Sequence, residues 1–362
     1  MRLSEKELIS LIRRKLEANV TSAKVIVGPG DDAAVIAQSA DKALVISTDA
    51  LVEGVHFSLD WATAFLLGQK SLLSSISDIF AMGARPQACL VSLGLPAGIE
   101  PPFIEDLFDG MIRQANRFGA CIVGGNISRS ERLFVDMTVT GIVHPGAVIT
   151  RAGAKVGDSI FVTGDLGGAA LAVKCLLERR INGQTVARVE SILRGDSEAP
   201  PTCSGDAGLV ELLARFFVPR IRADESQLLA EARICTSMID LSDGIGSDLG
   251  HICQESGVGA LVEIESVPLF DMVPVAAMTD ESDLTELAIC GGEDYELLFT
   301  VDPGDEARLQ ELLGVGLRCP ISKIGRIISK SEGLIYLSKN GECLDRFAGF
   351  DHFARRAEGR EQ

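Results

Sequence analysis

Residues 28–57 read GPGDDAAVIAQSADKALVISTDALVEGVHF, a stretch in which short apolar segments alternate with acidic and glycine-containing turns. Segments 33–37 and 43–49 are rich in Val, Ile and Ala, and both are predicted to be strands. Residues 25–27, just before the stretch, are predicted to form another strand. Polar residues 40–42 provide the turn between the two later strands. The stretch therefore predicts a small antiparallel unit with a hairpin.

Acidic residues lie at both ends of this hairpin. Asp31 and Asp32 follow the Gly-Pro-Gly turn, and Asp49 ends the last strand. Because side chains alternate along a strand, Ser47 and Asp49 point to one side and Thr48 to the other. One interpretation is that the acids are ordinary Asx-turn residues. The other is a magnesium site, since Mg²⁺ prefers oxygen ligands, and this stretch leaves both open.

Composition narrows the class of protein. A length of 362 residues suggests two domains. The net charge of −17 argues against a nucleic-acid or anionic-membrane partner, because phosphate-rich surfaces require clustered Lys and Arg. Aromatic residues make up only 5%, which argues against a base-stacking surface. The acidity suits a chain that binds divalent cations.

The sequence also predicts a cellular location. Residues 1–7 contain no apolar signal core, and no apolar run approaches the roughly 20 residues that cross a bilayer. The nine cysteines include no Cys-x-x-Cys pair, which argues against zinc and thiol–disulfide motifs and favours buried free thiols. We therefore expect a cytoplasmic protein with no membrane partner.

A long helix is predicted over residues 62–83. Its apolar side consists of Leu66, Leu72, Leu73, Ile76, Ile79 and Phe80. A polar stripe on it consists of Lys70, Ser71, Ser74, Ser75 and Asp78. Asp78 lies near the C-terminal end, where the helix dipole disfavours an anion. A lone surface acid is tolerable there, but a bound cation would explain the residue better.

The rest of the first half alternates irregularly between strands and helices. Strands are predicted at 88–95 and 134–143, and a helix at 103–118. A strand at 121–123 is predicted to end in the polar segment 124–126, Gly-Gly-Asn. This irregular order favours a mixed sheet with helices packed on it over a doubly wound parallel sheet.

A domain boundary is predicted after residue 145, which divides the chain into domains 1–145 and 146–362. A strand at 159–163 leads into a glycine-rich turn at 164–168, which favours either anion binding on free amides or tight helix packing. Residues 181–205 are polar and are predicted to be an excursion or a loop. Further helices are predicted at 169–178, 209–217 and 225–232, and further strands at 297–301, 321–327 and 334–337.

A second acidic cluster follows in the other half. Asp240 and Asp243 stand at a strand end and a helix start, where Asp243 could simply be a helix cap. Gly291 and Gly292 precede Glu293, and a glycine pair lets the backbone approach a ligand closely. If the two acidic clusters converge, bound cations must offset their repulsion, and such sites clamp phosphoryl groups. Spacing alone thus predicts a metal-dependent phosphotransferase or phosphohydrolase.

The chain resembles the thiamine-monophosphate kinase family in an ordered set of motifs. These are Gly30-Asp31-Asp32-Ala33, Ile46-Ser47-Thr48-Asp49, Gly54-Val55-His56-Phe57, Ser77-Asp78-Ile79-Phe80-Ala81-Met82-Gly83-Ala84, Gly124-Gly125, Thr150-Arg151-Ala152-Gly153-Ala154, Asp240-Leu241-Ser242-Asp243-Gly244, Gly291-Gly292-Glu293-Asp294-Tyr295-Glu296-Leu297 and Gly349-Phe350-Asp351-His352-Phe353. Each motif alone is weak. Together they stand in family order and cover nearly the whole chain.

The resemblance implies an ATP-dependent transfer of a phosphoryl group to thiamine phosphate, by direct in-line attack with several Mg²⁺ ions. It also implies an aminoimidazole ribonucleotide synthetase-like fold. In that fold an N-terminal α/β domain with a mixed sheet pairs in a homodimer to form a shared β-barrel, and a C-terminal α/β domain follows. No protein residue is expected to act as a catalytic acid, base or nucleophile.

The resemblance also implies roles for individual residues. Those that would hold magnesium are Asp32, Ser47, Thr48, Asp49, Asp78, Asn126, Asp240 and Asp243. Those that would contact ATP are Gly125, Asn126, Arg151 and Ser242. Those that would contact thiamine phosphate are His56, Glu293 and Phe350. Taken alone, His56 reads as a half-buried strand residue, Arg151 as a surface charge and Phe350 as core.

Two departures leave alternatives open. Asn126 stands where the family often has Asp, which removes one negative charge from a metal contact. Phe350 stands where Trp or Tyr is frequent, so stacking is kept but a polar group is lost. The alternatives are a sister ATP-dependent enzyme of the same fold, and a non-catalytic protein that binds ATP and magnesium.

Overall fold

The computed structural model describes residues 5–17, 24–197, 205–271, 281–315 and 319–344. The first half contains α1 (Glu5–Glu17), β1 (Val25–Val27), β2 (Ala34–Ala37), β3 (Ala43–Val52), α2 (Ala64–Ala81), β4 (Arg85–Leu95), α3 (Pro101–Phe118), β5 (Cys121–Arg129) and β6 (Phe134–Val143). The second half contains β7 (Ser159–Thr163), α4 (Gly168–Leu177), α5 (Gly183–Arg194), α6 (Gly205–Phe217), α7 (Ala223–Ala232), β8 (Cys235–Asp240), α8 (Ile245–Ser256), β9 (Gly259–Glu263), α9 (Glu281–Cys290), β10 (Leu297–Val301), α10 (Glu306–Val315), β11 (Ile321–Ile328) and β12 (Leu334–Leu337).

Each half is built on one six-stranded mixed sheet. The first sheet has the order β1-β2-β3-β6-β4-β5, and only β4 and β5 run parallel. The second has the order β12-β9-β11-β7-β10-β8, and only β12 and β9 run parallel. The expectation of mixed rather than doubly wound sheets is confirmed. The boundary predicted after residue 145 falls between β6 and β7.

Helix α2 joins the two halves. Thr63 caps its first turn by accepting a hydrogen bond from the Leu66 amide at 3.4 Å. The predicted apolar side of the helix is buried, and so are Lys70, Ser71, Ser74 and Ser75 of the polar stripe. The stripe is buried because α6, α7 and β8 of the second half pack against this helix. Asp78, near its C-terminal end, is thereby held at the junction of the halves.

Strand β5 is longer than the sequence predicts. It continues through Gly124, Gly125 and Asn126 and ends at Arg129, so the strand predicted at 121–123 was too short. A Cβ atom on Gly125 would lie 1.8 Å from the backbone oxygen of Val91 on β4. The glycine therefore permits a close approach between paired strands and does not mark a turn.

The polar segment predicted as a loop contains helix α5. Asn182 caps this helix by accepting a hydrogen bond from the Thr185 amide at 3.0 Å. Val186 and Val189, three residues apart, are its buried residues. The prediction of an excursion or loop was therefore wrong for Gly183–Arg194, because two valines on one face suffice to pack a helix that is otherwise polar.

Two further expectations concern cysteines and membranes. The eight cysteines in the described part of the chain form no disulfide with one another, and four of them are buried as predicted, whereas Cys121 and Cys343 are exposed. Among the helices that the structure describes, none combines the length and the hydropathy needed to span a bilayer.

Candidate active site at the domain junction

Three carboxylates from distant parts of the chain meet between the two sheets. Asp32 lies in the turn before β2, Asp78 near the end of α2, and Asp240 at the end of β8. One oxygen of each carboxylate lies within 4.8 Å of the other two. Asp32 and Asp240 are buried, with 7% and 2% of their surface exposed, and Asp78 is half-buried. We call these three residues the acidic cluster.

Two serine hydroxyls support the acidic cluster. Ser47 on β3 donates to Asp78 Oδ2 and, at 3.2 Å, to the backbone oxygen of Asp32. Ser77 on α2 donates to Asp240 Oδ2 at 2.5 Å. The second contact crosses the domain junction, so helix α2 orients acids in both halves of the protein.

The predicted alternation along β3 is confirmed. Ser47 contacts the acidic cluster, and Asp49 lines a cleft beside it. The hydroxyl of Thr48 points to the other side of the sheet and donates to Asp136 Oδ1 at 2.8 Å. The side chain of Thr48 therefore lies away from the acidic cluster, although the residue still lines the cleft.

Arg151 lies at the edge of the acidic cluster. Its guanidinium donates to Asp32 Oδ1 from Nε at 2.9 Å and also from Nη2. Its backbone amide donates to Asp31 Oδ2 at 3.1 Å. Arg151 lies in the segment between β6 and β7 that joins the two sheets, so one residue ties the β1–β2 turn to the second half. It also compensates one of the buried negative charges.

Burial and mutual repulsion disfavour the ionised form of the carboxyl groups in the acidic cluster. Burial, followed by the charge of Asp32, raises the pKa of Asp240 to about 7. Burial, followed by the charges of Asp240 and Asp32, raises the pKa of Asp78 well above its usual range. Asp32 Oδ2 is buried without a hydrogen-bond partner among the described residues. Converging hard oxygens with an unpartnered carboxylate oxygen fit a bound Mg²⁺ ion.

Asp243 is not the cap of helix α8. The N-cap residue is Gly244, so the cap interpretation left open by the sequence is wrong. The Asp243 amide donates to Asp248 Oδ2 at 3.0 Å, and burial raises the pKa of Asp248 well above its usual range. Asp248, in the first turn of α8, thus stabilises the turn that carries Asp243. In the sequence, Asp248 is only one more acidic residue on the helix.

The predicted glycine pair, Gly291 and Gly292, brings segment 291–293 against the turn that carries Asp243. A Cβ atom on Gly292 would lie 2.1 Å from the backbone oxygen of Ser242. The Glu293 amide donates to that oxygen at 2.8 Å. Glycine therefore allows the 291–293 segment to pack directly on the segment after β8. Ser242, Asp243 and Glu293 consequently border the same cleft.

This cleft has a volume of about 520 Å³ and lies between the two halves. Its polar lining residues include Asp49, His56, Asp78, Asp240, Ser242, Asp243 and Glu293. Its apolar lining residues include Leu51, Val55, Phe57, Trp61, Val173 and Leu177. The cleft can therefore contact charged groups beside the acidic cluster and also apolar rings.

Trp61 forms part of the cleft wall but was not predicted from the sequence to be a site residue. The Trp61 ring packs edge-on against Phe216 and Phe217 of α6, with centroids 5.8 and 6.0 Å apart. The only signal in the sequence was that Trp61 is the single tryptophan of the chain. His56, which was predicted, accepts a hydrogen bond at Nδ1 from the Val52 amide at 3.0 Å, which orients its ring.

Gly125 and Asn126, two of the predicted residues, are not brought to the acidic cluster. The strand register aligns Gly125 with Asp49 across β4 and β6, so three strand spacings, about 14 Å, separate them. Asn126 is exposed on the same edge strand, where its side-chain amide donates to Ser128 Oγ at 3.2 Å. Phe350 lies outside the described residues.

The glycine-rich turn before α4 already holds an acidic side chain of the chain itself. Asp294 accepts hydrogen bonds from the amides of Gly167 at 2.8 Å and Ala169 at 3.2 Å. Burial is the main cause that raises the pKa of Asp294 to about 7. The sequence left phosphate binding and tight packing open at this turn. In the structure, the Asp294 carboxyl group occupies the amides at the helix N-terminus.

Comparisons with known proteins agree with this geometry. The family profile "AIR synthase related protein, N-terminal domain" matches residues 30–143, and "AIR synthase related protein, C-terminal domain" matches residues 155–337. The thiamine-monophosphate kinase of Salmonella typhimurium is 33% identical over 348 residues, which make up 95% of this chain and 98% of the relative.

Solved structures give the same result. AaThiL complexed with AMPPCP and TMP superposes with a TM-score of 0.76 and 29% identity, covering 98% of this chain and 99% of that one. The thiamine-monophosphate kinase from Stenotrophomonas maltophilia K279a has a TM-score of 0.71 and 30% identity, covering 92% and 97%. The protein therefore has the AIR synthase-like fold, and the chain belongs to the thiamine-monophosphate kinase family.

Proposed function

We propose that this protein transfers the γ-phosphoryl group of ATP to the phosphate of thiamine monophosphate and so forms thiamine diphosphate. Family membership supports the reaction, and a solved relative was complexed with AMPPCP and TMP. The observation that carries the proposal is the acidic cluster, which lies beside a cleft lined by both polar and apolar side chains.

The acceptor needs no protein base. The second pKa of a phosphate monoester is about 6, so its oxygen is already anionic near neutrality. Bound Mg²⁺ would neutralise charge on the phosphate groups. We propose that the residues that hold it come from the predicted set of Asp32, Ser47, Thr48, Asp49, Asp78, Asn126, Asp240 and Asp243. Their role is to position the two phosphate groups in line.

We propose that the residues around the cleft have two roles. Arg151 and Ser242 stand near the acidic cluster, which suits contacts with ATP, and Gly125 and Asn126 keep their predicted role as ATP contacts. His56 and Glu293 line the cleft, which suits contacts with thiamine monophosphate, as predicted also for Phe350. The apolar lining residues, including Trp61, offer a surface for the rings of the acceptor.

We also propose that the protein is a homodimer. Helices α2 and α3 cover one face of the first sheet. At the far edge of this sheet, Leu90, Val123 and Ile127 are exposed by 48%, 63% and 66%. Neighbouring exposed apolar side chains favour an interface. A second copy would cover them, and light scattering should then give twice the chain mass of 38.5 kDa. A monomer at micromolar concentration would contradict this part of the proposal.

One incubation tests the reaction. The purified protein is mixed with ATP, Mg²⁺ and thiamine monophosphate, and thiamine diphosphate is measured by chromatography. Product that forms with Mg²⁺ and disappears with EDTA supports the proposal and shows that Asn126 is tolerated. ATP binding without product would favour a binding-only protein. Turnover of another phosphate acceptor would favour a sister enzyme.

A further inference from the structure

We propose that Lys70 is a positioning residue that holds the Glu293 carboxylate at the wall of the cleft and thereby sets the affinity for thiamine monophosphate. The inference rests on the proposed function, which brings this substrate to the cleft. Glu293 lines the cleft, whereas Lys70 lies behind it in helix α2. Lys70 therefore acts through Glu293.

Lys70 is fully buried. Its side chain is 0% exposed, and its ammonium lies 3.1 Å from Glu293 Oε1. The same nitrogen donates to the backbone oxygen of Phe216 at 3.1 Å and lies 3.9 Å from the centroid of the Phe216 ring. A fully buried lysine is rare, and it is retained only where such partners replace water. Among the described residues, the buried charge thus has Glu293 as its one anionic partner, and Glu293 borders the cleft.

Glu293 is held in an unusual backbone conformation. Its φ is +72°, in the left-handed region that non-glycine residues seldom adopt, and Tyr295 two residues later has a φ of +51°. Such conformations persist where the surrounding structure enforces them, and they concentrate at functional sites. The backbone amide is fixed by Ser242, and the ion pair with Lys70 then fixes the carboxylate.

Helix α2 carries both the lysine of the ion pair and one member of the acidic cluster. Lys70 and Asp78 lie on the same helix, eight residues apart, which corresponds to about 12 Å along the axis. Lys70 contacts the second half through Glu293 and Phe216, and Ser77 contacts it through Asp240. One rigid helix therefore holds the acidic cluster and the Glu293 carboxylate at a constant separation.

The test is Lys70→Met, which keeps the length of the side chain and removes its charge. We expect the KM for thiamine monophosphate to rise at least tenfold, while kcat changes less than threefold and the KM for ATP is unchanged. Adding Lys70→Met to Glu293→Gln should change KM less than twofold, because the partner charge is already gone. A folded Lys70→Met protein with unchanged KM, or effects that multiply in the double variant, would overturn the inference.

A matched control is Lys174→Met. Lys174 lies 3.1 Å from Asp283, the same separation as in the buried pair, but its side chain is 31% exposed and that of Asp283 is 52% exposed. Exposed pairs contribute little, so KM and the melting temperature should stay unchanged. A rise in KM in this control equal to that in Lys70→Met would also contradict the inference.

A second variant covers the case in which Lys70→Met does not fold. Lys70→Gln keeps a donor for the Phe216 oxygen without the charge, and the same rise in KM is expected. Binding of thiamine monophosphate is measured by calorimetry on all variants. Turnover in the wild type with unchanged affinity in the variants overturns only the inference. A wild type that neither binds nor converts thiamine monophosphate overturns the proposed function and the inference with it.

Discussion

Asp78 at the end of α2 and Asp240 at the end of β8 place carboxylate oxygens within 4.8 Å of each other, although the two residues belong to different halves of the chain. Ser77, next to Asp78, donates to Asp240. Two acids that would repel each other are therefore held together by the packing of one helix against a strand of the other half. The proposed site depends on this docking and on a cation that offsets the repulsion.

Asp78→Asn tests the acidic cluster directly. The variant removes one ligand charge from a metal site that stabilises the phosphoryl group during transfer. The transition state should lose several kcal/mol of stabilisation, so turnover should fall about a thousandfold or more. The melting temperature measured without metal should not fall, because the variant removes one of three closely spaced like charges that repel one another. Asp106→Asn, on the surface of α3, is the control and should be fully active. Near-normal turnover in Asp78→Asn would contradict the metal assignment.

Metal removal should make stability depend on pH. The pKa of Asp240 is raised from 3.8 to about 7, and that of Asp31 likewise to about 7, with burial as the first cause in both. The folded protein thus holds protons that the unfolded chain releases between about pH 4 and 7. In EDTA, the free energy of unfolding should be highest near pH 4 and fall by up to about 1.4 kcal/mol per pH unit for each group.

Urea unfolding at pH 5, 6 and 7 measures this dependence. Adding Mg²⁺ should restore stability at pH 7.5, where Asp240 is ionised, and have little effect at pH 5, where protons compete with the ion. Stability that rises with pH in EDTA, or that does not respond to Mg²⁺ at pH 7.5, would contradict the interpretation of the acidic cluster as a cation site.

Arg151→Ala should destabilise the protein. The Asp32 side chain is 0% exposed and that of Arg151 is 19% exposed, so the variant leaves a buried carboxylate without its cation. We expect a loss of about 3 kcal/mol in urea unfolding in EDTA at pH 8. Arg151→Lys should lose less but should not match the wild type, because lysine cannot donate from two fixed nitrogens. Arg85→Ala removes an exposed contact between the halves and should cost under about 1 kcal/mol.

Gly125→Ala should weaken the edge of the first sheet. The added methyl group would lie 1.8 Å from the Val91 oxygen, so β5 must move away from β4. We expect a loss of about 1–3 kcal/mol in the free energy of unfolding. At Gly124 the same group would meet only Leu90 Cδ2 at 3.6 Å, so Gly124→Ala is the neighbouring control. Equal stability of the two variants would show that β5 does not depend on this close approach.

Strand alternation and helix periodicity were readable from the sequence because they are local. The sides taken by Ser47 and Thr48 follow from the period of two along β3, and the burial of Leu72 and Ile76 from the period of 3.6 along α2. The predicted end of the strand at Gly124 was wrong, because pairing with β4 extends the strand. The loop predicted where α5 lies was also wrong, because packing of two valines outweighs the polar composition.

The sequence by itself determined that acids stand on turns and helix ends in both halves of this protein, and the ordered motifs identified the family. Only the tertiary structure decided which oxygens meet, that Lys70 is buried beside Glu293, and that Asp294 fills the turn before α4. The physical reason is that periodicity along one element defines a face, whereas the partner of that face is decided by how distant elements pack. The charge, burial and pKa of each side chain depend on that partner.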